Sequence, residues 1–345
     1  MSDRDSSRRQ FLQAAGSATA AVALAGCTGG GDSTPTDEAT ETSGDDMETT
    51  TAAEETTERP EPDTRDGYLQ RANRHTHEQA PWVFLHRQYS VYGQSSDIEW
   101  QPRTDERVAA YAIEPATDAG DDVVMTQSQM DSGLDPQDHA ETNTEIIVGQ
   151  LYEGLLDRDK QGGIIAGLAD EWERTDDGSV RFMLRDGLTF HNGDEVTPED
   201  VRFSIRRIVF EDVGIVSPQS NDLGSVSEVT TGDGQVTVSF EGFNPIAFQL
   251  FATNGPIMQQ SWVEDRSKSE IGQQMNGTGP FQLDSYTQDE EVVFTRYEDY
   301  WDDPAEVSEL TFTSAAESST RVNQLLQNET DIIVNVPPQE VNRIN

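Results

Sequence analysis

The stretch Leu184-Arg185-Asp186-Gly187-Leu188-Thr189-Phe190-His191-Asn192-Gly193-Asp194-Glu195-Val196-Thr197-Pro198-Glu199-Asp200-Val201-Arg202-Phe203-Ser204 decides how this chain is read. Its physical content is a strand, a tight turn and the start of a helix. Thr197 is placed to cap the helix, Pro198 suits the first helical position, and Asp200 can reach back to complete a capping box. Val201, Ile205 and Ile208 then recur at helical spacing and give the helix one buried face. No group in this arrangement is chemically reactive.

Outward from that stretch, the chain alternates short strands with helices. Asp122 to Gln127 reads as a buried strand leading into the turn-rich Met130-Asp131-Ser132-Gly133-Leu134-Asp135-Pro136. Thr142-Asn143-Thr144-Glu145 has the form of a capping box, with Ile146, Ile147, Gln150, Leu151, Gly154 and Leu155 on one helical face. Asp176-Asp177-Gly178 predicts a hairpin turn between a strand near Trp172 and the alternating Val180, Phe182 and Leu184. A second hairpin is expected around Gly232-Asp233-Gly234, before Val236, Val238 and Phe240. A strand pair is expected from Gly279 to Thr295. Ser318 to Gln327 follows as a helix with Val322, Leu325 and Leu326 inward, and Asp331 to Val336 as a last strand. This is an α/β body with a mixed sheet and no internal repeat.

Several stretches also match a family in order and spacing. Leu151-Tyr152-Glu153-Gly154-Leu155, Leu168-Ala169-Asp170-Glu171-Trp172, the Leu184–Ser204 stretch, Asn276-Gly277-Thr278-Gly279-Pro280-Phe281, Tyr297-Glu298-Asp299-Tyr300-Trp301 and Arg321 to Asp331 together resemble the ABC-transporter solute-binding proteins for oligopeptides, dipeptides or nickel (family 5). The resemblance covers roughly residues 122–340. It implies an α/β, periplasmic-binding-protein-like (type II) fold and capture of a peptide or similar small solute for an ABC permease. Such proteins are implied to clamp the solute between two lobes by hinge closure.

Residues 66–120 match in an unexpected place. Tyr68, Leu69, Ala72 and Thr76 form a helical stripe ending at Pro81, and Trp82 to Tyr92 reads as a buried strand before a turn at Gly93. Glu78-Gln79-Ala80-Pro81-Trp82 resembles the family's closing segment, which returns from the second lobe to the first. Here it precedes the first lobe, residues 121–345, and Pro337-Pro338-Gln339-Glu340 falls about where a second lobe would begin. One reading is a circularly permuted, single-lobe form of the fold, since domain termini at the surface tolerate permutation. A rearranged or truncated gene is the other.

The first 65 residues read as targeting and tether. Ser7-Arg8-Arg9-Gln10-Phe11-Leu12 is a twin-arginine pattern, followed by an apolar run from Ala14 to Ala25 that is too short to span a bilayer comfortably. Leu24-Ala25-Gly26-Cys27 resembles a lipobox, implying a lipid on Cys27 and an anchor at the extracytoplasmic face of the cell membrane. Cys27 is the only cysteine, so no intrachain disulfide can form. Residues 28–65 are Thr, Glu, Asp, Gly and Pro with little apolar content, which predicts a disordered tether. Twin-arginine export carries folded proteins, so folding is expected to precede it.

Charge narrows the partners. The net charge is −42, and beyond residue 66 lie 50 acidic residues against 18 basic ones, with lysine only at Lys160 and Lys268. Self-repulsion on this scale is tolerated where salt screens it, at a Debye length of about 3 Å in molar salt. The composition resembles proteins of salt-loving archaea. With no basic patch to neutralise phosphates, nucleic acid is excluded as a partner.

Candidate solute contacts on the first-lobe wall are Ser132, Gly133 and Leu134, the Gly277-Thr278-Gly279 loop, and Tyr89 with Tyr92. The carboxylate that meets the amino terminus in peptide-binding relatives is implied to lie in the second lobe, for which the chain carries no match. Glycines also serve turns, and strand tyrosines also pack. Catalysis is not expected: there is no Gly-x-Ser-x-Gly elbow, no phosphate-binding glycine loop, and no free thiol once Cys27 is lipidated. No cofactor is expected either. His75 and His77 point to different helix faces and His86 lacks a spaced partner, so no metal site is expected. His191 is expected to serve its turn. A surface lipoprotein that acts only as an interaction module, or a nonfunctional fragment that has lost transport, is the alternative function.

Overall fold

The structure, a computed structural model, describes residues 64–79, 89–116, 120–130, 133–210 and 215–345. The signal, Cys27, the tether up to residue 63, Trp82 to Gln88 and Ser132 lie outside the described residues. The chain divides into two units, Met1–Phe84 and Leu85–Asn345. In the first, the helix Arg65–Gln79 has no buried residue, and Tyr68 and Leu69 are exposed.

In the second unit the strands run, in chain order, β1 (Gly93–Gln94), β2 (Ile98–Glu99), β3 (Glu114–Pro115), β4 (Asp122–Gln127), β5 (Leu156–Arg158), β6 (Ile164–Ala166), β7 (Ala169–Arg174), β8 (Val180–Leu184), β9 (Val226–Gly232), β10 (Gln235–Phe240), β11 (Phe281–Thr287), β12 (Glu291–Arg296), β13 (Glu309–Ser314) and β14 (Ile332–Ile333). The main sheet has the order β1-β14-β4-β13-β12-β11. It is mixed: β4 lies parallel to both β13 and β14, and the other pairs are antiparallel. A second, antiparallel sheet has the order β7-β8-β10-β9.

The Leu184–Ser204 stretch folds as its chemistry dictates. Gly193 takes φ +84, a left-handed conformation that glycine adopts without a Cβ penalty. The turn it closes is held by Phe190 N–H on the Asp194 carbonyl, 2.8 Å. Thr197 caps the helix Pro198–Val209, and the reciprocal box with Asp200 is formed. Val201, Ile205 and Ile208 are buried in one core with Val180, Phe182, Val236 and Val238. Each fully buried apolar side chain of this kind contributes about 1.5–3 kcal/mol. The hairpins at Asp177-Gly178 and Asp233-Gly234 form as expected, with both glycines at positive φ.

Four expectations change. The helix after Met130 spans Thr142–Val148, with Glu141 rather than Thr142 at its N-cap and no side-chain cap bond. It stops before Gln150 to Leu155, because the chain turns there to meet the Gly277–Gly279 loop. The helix Ser318–Leu326 buries Val322 and Leu325 but leaves Leu326 exposed. Its other buried residue is Arg321, whose guanidinium donates to the carbonyls of Ala315, Ala316 and Val334. The last strand pairs only at Ile332 and Ile333, since Asn335 adopts φ +56 and turns the backbone away.

Candidate functional site

Three motif segments far apart in sequence meet at Glu153. Its carboxylate accepts hydrogen bonds from Thr278 Oγ1 (2.9 Å), Tyr300 Oη (2.8 Å) and Trp301 Nε1 (3.1 Å). Burial outweighs these donors and lifts its pKa to about 7. The Tyr300 hydroxyl is pushed up by burial and by the Glu153 charge beside it.

Around this point the backbones interlock. Gly279 N–H donates to the Leu151 carbonyl at 2.8 Å, and Asn276 N–H to the Tyr152 hydroxyl at 3.0 Å. A Cβ on Gly277 would lie 1.9 Å from the Leu151 carbonyl oxygen, so only glycine permits the approach. His191 closes the other side. Its Nδ1 accepts from Gly277 N–H (3.2 Å), so its protonated Nε2 donates to the Gly279 carbonyl (3.0 Å). Burial lowers the His191 pKa to about 4, and the ring stays neutral.

Beside Glu153 opens a cavity of about 900 Å³. The segment Arg103–Glu114 forms one wall, and Pro136–Gly154 another. Asp302, Asp303 and Glu306 lie at the rim beyond Tyr300 and Trp301. Gln150 ties two walls together: its Nε2 donates to the Val108 carbonyl (2.7 Å), and its Oε1 accepts from Ala110 N–H (3.0 Å). The lining is acidic, including Glu114, Glu141, Glu145, Glu153, Asp222 and Asp302. Its two arginines are already engaged. Arg103 pairs with Asp105 (2.6 Å), and Arg107 with Asp157 (2.8 Å).

Among the described residues, none of the contacts expected from sequence lines this cavity. Leu134 is fully buried in the main core, and Thr278 is buried against Glu153. Gly277 and Gly279 serve the backbone junction. Tyr92 packs edge-on against Trp100, and with Tyr89 it borders a separate hollow of about 560 Å³. Gly133 is at the surface, with nothing within 4 Å of where a Cβ would stand. The groups missed were Glu153, Tyr300 and Trp301, although all three stand inside quoted motifs. The signal available was a carboxylate in one motif and a pair of aromatic donors in another.

The chain thus joins a mixed sheet and a smaller antiparallel sheet to a large cavity with acidic side chains in its lining. The chain matches the family described as bacterial extracellular solute-binding proteins, family 5, over residues 163–345, and it belongs to that family. Residues 5–25 match the signal sequence of the twin-arginine translocation pathway, so the protein is exported and extracytoplasmic. The nickel-binding protein NikA of Staphylococcus aureus is 26% identical over 208 residues, covering 59% of this chain and 40% of that protein. The dipeptide-binding protein of Escherichia coli is 25% identical over 207 residues, covering 52% and 38%. The crystal structure of a dipeptide-binding protein from Pseudoalteromonas with Met-Leu superposes with a TM-score of 0.60 at 22% identity, covering 64% of this chain and 48% of that one. Its fold is type II periplasmic-binding-protein-like. The chain spans less than half the length of these relatives.

Proposed function

We propose that this protein is a lipid-anchored solute-binding component of an ABC importer that captures peptides and passes them to a membrane permease. The 900 Å³ cavity carries this reading, since its volume matches that of small-molecule sites. Cys27 is the proposed lipid attachment point, and residues 28–65 the tether. The acidic composition suits a protein that works in concentrated salt. Tyr89, Tyr92, Ser132 and Gly133 are retained as proposed solute contacts.

We also propose that residues 66–120 are a permuted return segment. In support, β1 joins the main sheet beside β14, which itself flanks β4. Moving residues 66–120 behind residue 345 through a glycine-serine linker should leave the unfolding midpoint unchanged. A large fall would oppose permutation.

The carrier reading is tested by thermal unfolding of the full chain with a mixed short-peptide library. A ligand at a hundredfold excess over its Kd stabilises by about 2.7 kcal/mol, a rise of several degrees. A cooperative transition that no peptide shifts would argue instead for an interaction module.

A further inference from the structure

Besides its carboxylates, the cavity wall carries two large apolar side chains that stay exposed, Tyr111 at 47% and Ile165 at 39%. The fold holds both there. Tyr111 stands in the tight helical turn Ala110–Ala112, where Ala110 and Ile113, three residues apart and eclipsed, are both buried. Ala110 N–H is also held by the buried Gln150 at 3.0 Å, so the turn is fixed with its phenol directed outward. Ile165 lies directly opposite Asp157 in the β5–β6 pair, so the two side chains share one face. The same Asp157 accepts from Arg107 at 2.8 Å, and its charge, second to burial, raises the Tyr111 pKa. Tyr111 and Ile165 thus reach one end of the cavity from separate segments. Tyr300 borders that end and brings in Trp301, whose ring lies 5.3 Å from its own. The Trp301 indole is locked in place by Glu153 at its N–H and by the Arg185 guanidinium, 4.3 Å from the ring.

We propose that Tyr111, Ile165 and Trp301 form a subsite for a large apolar side chain of the solute, and that this subsite sets the carrier's preference among peptides. Apolar surface held in water on a cavity wall is covered when such a side chain enters, and that burial supplies the affinity. An aromatic ring suits the place, because it can lie edge-on or offset against Tyr111 and Trp301. An acidic side chain does not, since Arg103 and Arg107 are taken by Asp105 and Asp157. The proposal rests on the carrier reading and specifies the side chain that the carrier selects.

The experiment is calorimetric titration of the full chain in molar potassium chloride with the dipeptides Phe-Ala, Ala-Phe and Ala-Ala. The three carry the same charges, so the comparison isolates the side chain and its position. The better of the two phenylalanine peptides is expected to bind roughly tenfold or more tighter than Ala-Ala. Tyr111→Ala and Ile165→Thr should each remove most of that preference. Both residues are exposed, and Thr keeps the β-branched shape that suits a strand, so unchanged unfolding midpoints are expected to confirm that both variants are folded. Leu326→Ser, which removes a comparably exposed apolar side chain outside the cavity, should leave the preference intact. Equal affinity for all three peptides, or a preference that either cavity variant leaves undiminished, overturns the apolar subsite and leaves the carrier reading standing. Binding of none of them counts against the peptide carrier itself, and the subsite falls with it.

Discussion

Glu153 should make stability depend on pH in a direction opposite to that of most surface carboxylates. Its pKa rises from an ordinary 4.5 to about 7 in the folded protein, with burial as the principal cause. The folded state therefore holds this proton over a range in which the unfolded chain has released it. Its contribution is greatest at and below pH 4.5 and declines as pH rises towards 7. Taken in full, the interval corresponds to about 3 kcal/mol, an upper bound because the side chain borders an open cavity. Glu153→Gln keeps the shape and one acceptor but does not titrate. Urea unfolding of both proteins at pH 5.0 and pH 7.5, at fixed salt, isolates the effect from the other carboxylates. Wild type should lose about 2–3 kcal/mol relative to the variant between the two conditions. A gap that stays constant, or one that moves in wild type's favour at the higher pH, would refute the argument. The second outcome would mean that the three donors outweigh burial.

Other perturbations probe separate parts of the fold. Arg207 lies 2.6 Å from Asp135 with both side chains buried, so Arg207→Met should cost about 3–5 kcal/mol, and adding Asp135→Asn should recover part of it in a denaturant-based double-mutant cycle. Thr197→Ala removes the helix cap and should cost about 1 kcal/mol by the same measurement. Gly277→Ala forces a Cβ into the Leu151 carbonyl and should cost about 3 kcal/mol or more, seen as a lost or strongly lowered thermal transition. His191, lowered to about 4, should remain the neutral Nε2–H tautomer at pH 5.5 in nitrogen-detected NMR spectra. Because the unfolded chain takes up that proton first, stability from this residue is lost as pH falls from about 6.5 towards 4.

Local chemistry was legible and long-range closure was not. The Thr197–Asp200 box, the glycine turns at Gly178 and Gly234 and the strand Asp122–Gln127 depend on neighbours within a few residues, and each formed as its sequence requires. The Thr142 box failed because helix onset was set one residue earlier, at Glu141, whose carboxylate instead accepts from Ala140 N–H. Periodicity suggested Leu326 as core and could not suggest Arg321, which is drawn inside by carbonyls left at the start of its own helix and beyond its end. The site was least legible of all. Glu153, Tyr300 and Trp301 each carry an ordinary local reading, and only the folded chain shows a carboxylate facing two aromatic donors nearly 150 residues away. The family resemblance identified the motifs, but it did not show that they serve one junction.

The parallel pairing of β4 with β13 and β14 has a consequence for the protein's history before it leaves the cell. Asp122 aligns with Glu309, and Met125 with Ile332, so the centre of the main sheet cannot assemble until nearly the whole body has been synthesised. Closing a loop of that length sacrifices chain entropy before the pairing returns anything, which makes such topologies slow to fold. The smaller sheet, built from hairpins, can form early and wait. A twin-arginine signal suits that timetable, because it lets the slow step finish in the cytoplasm before the export machinery receives the chain.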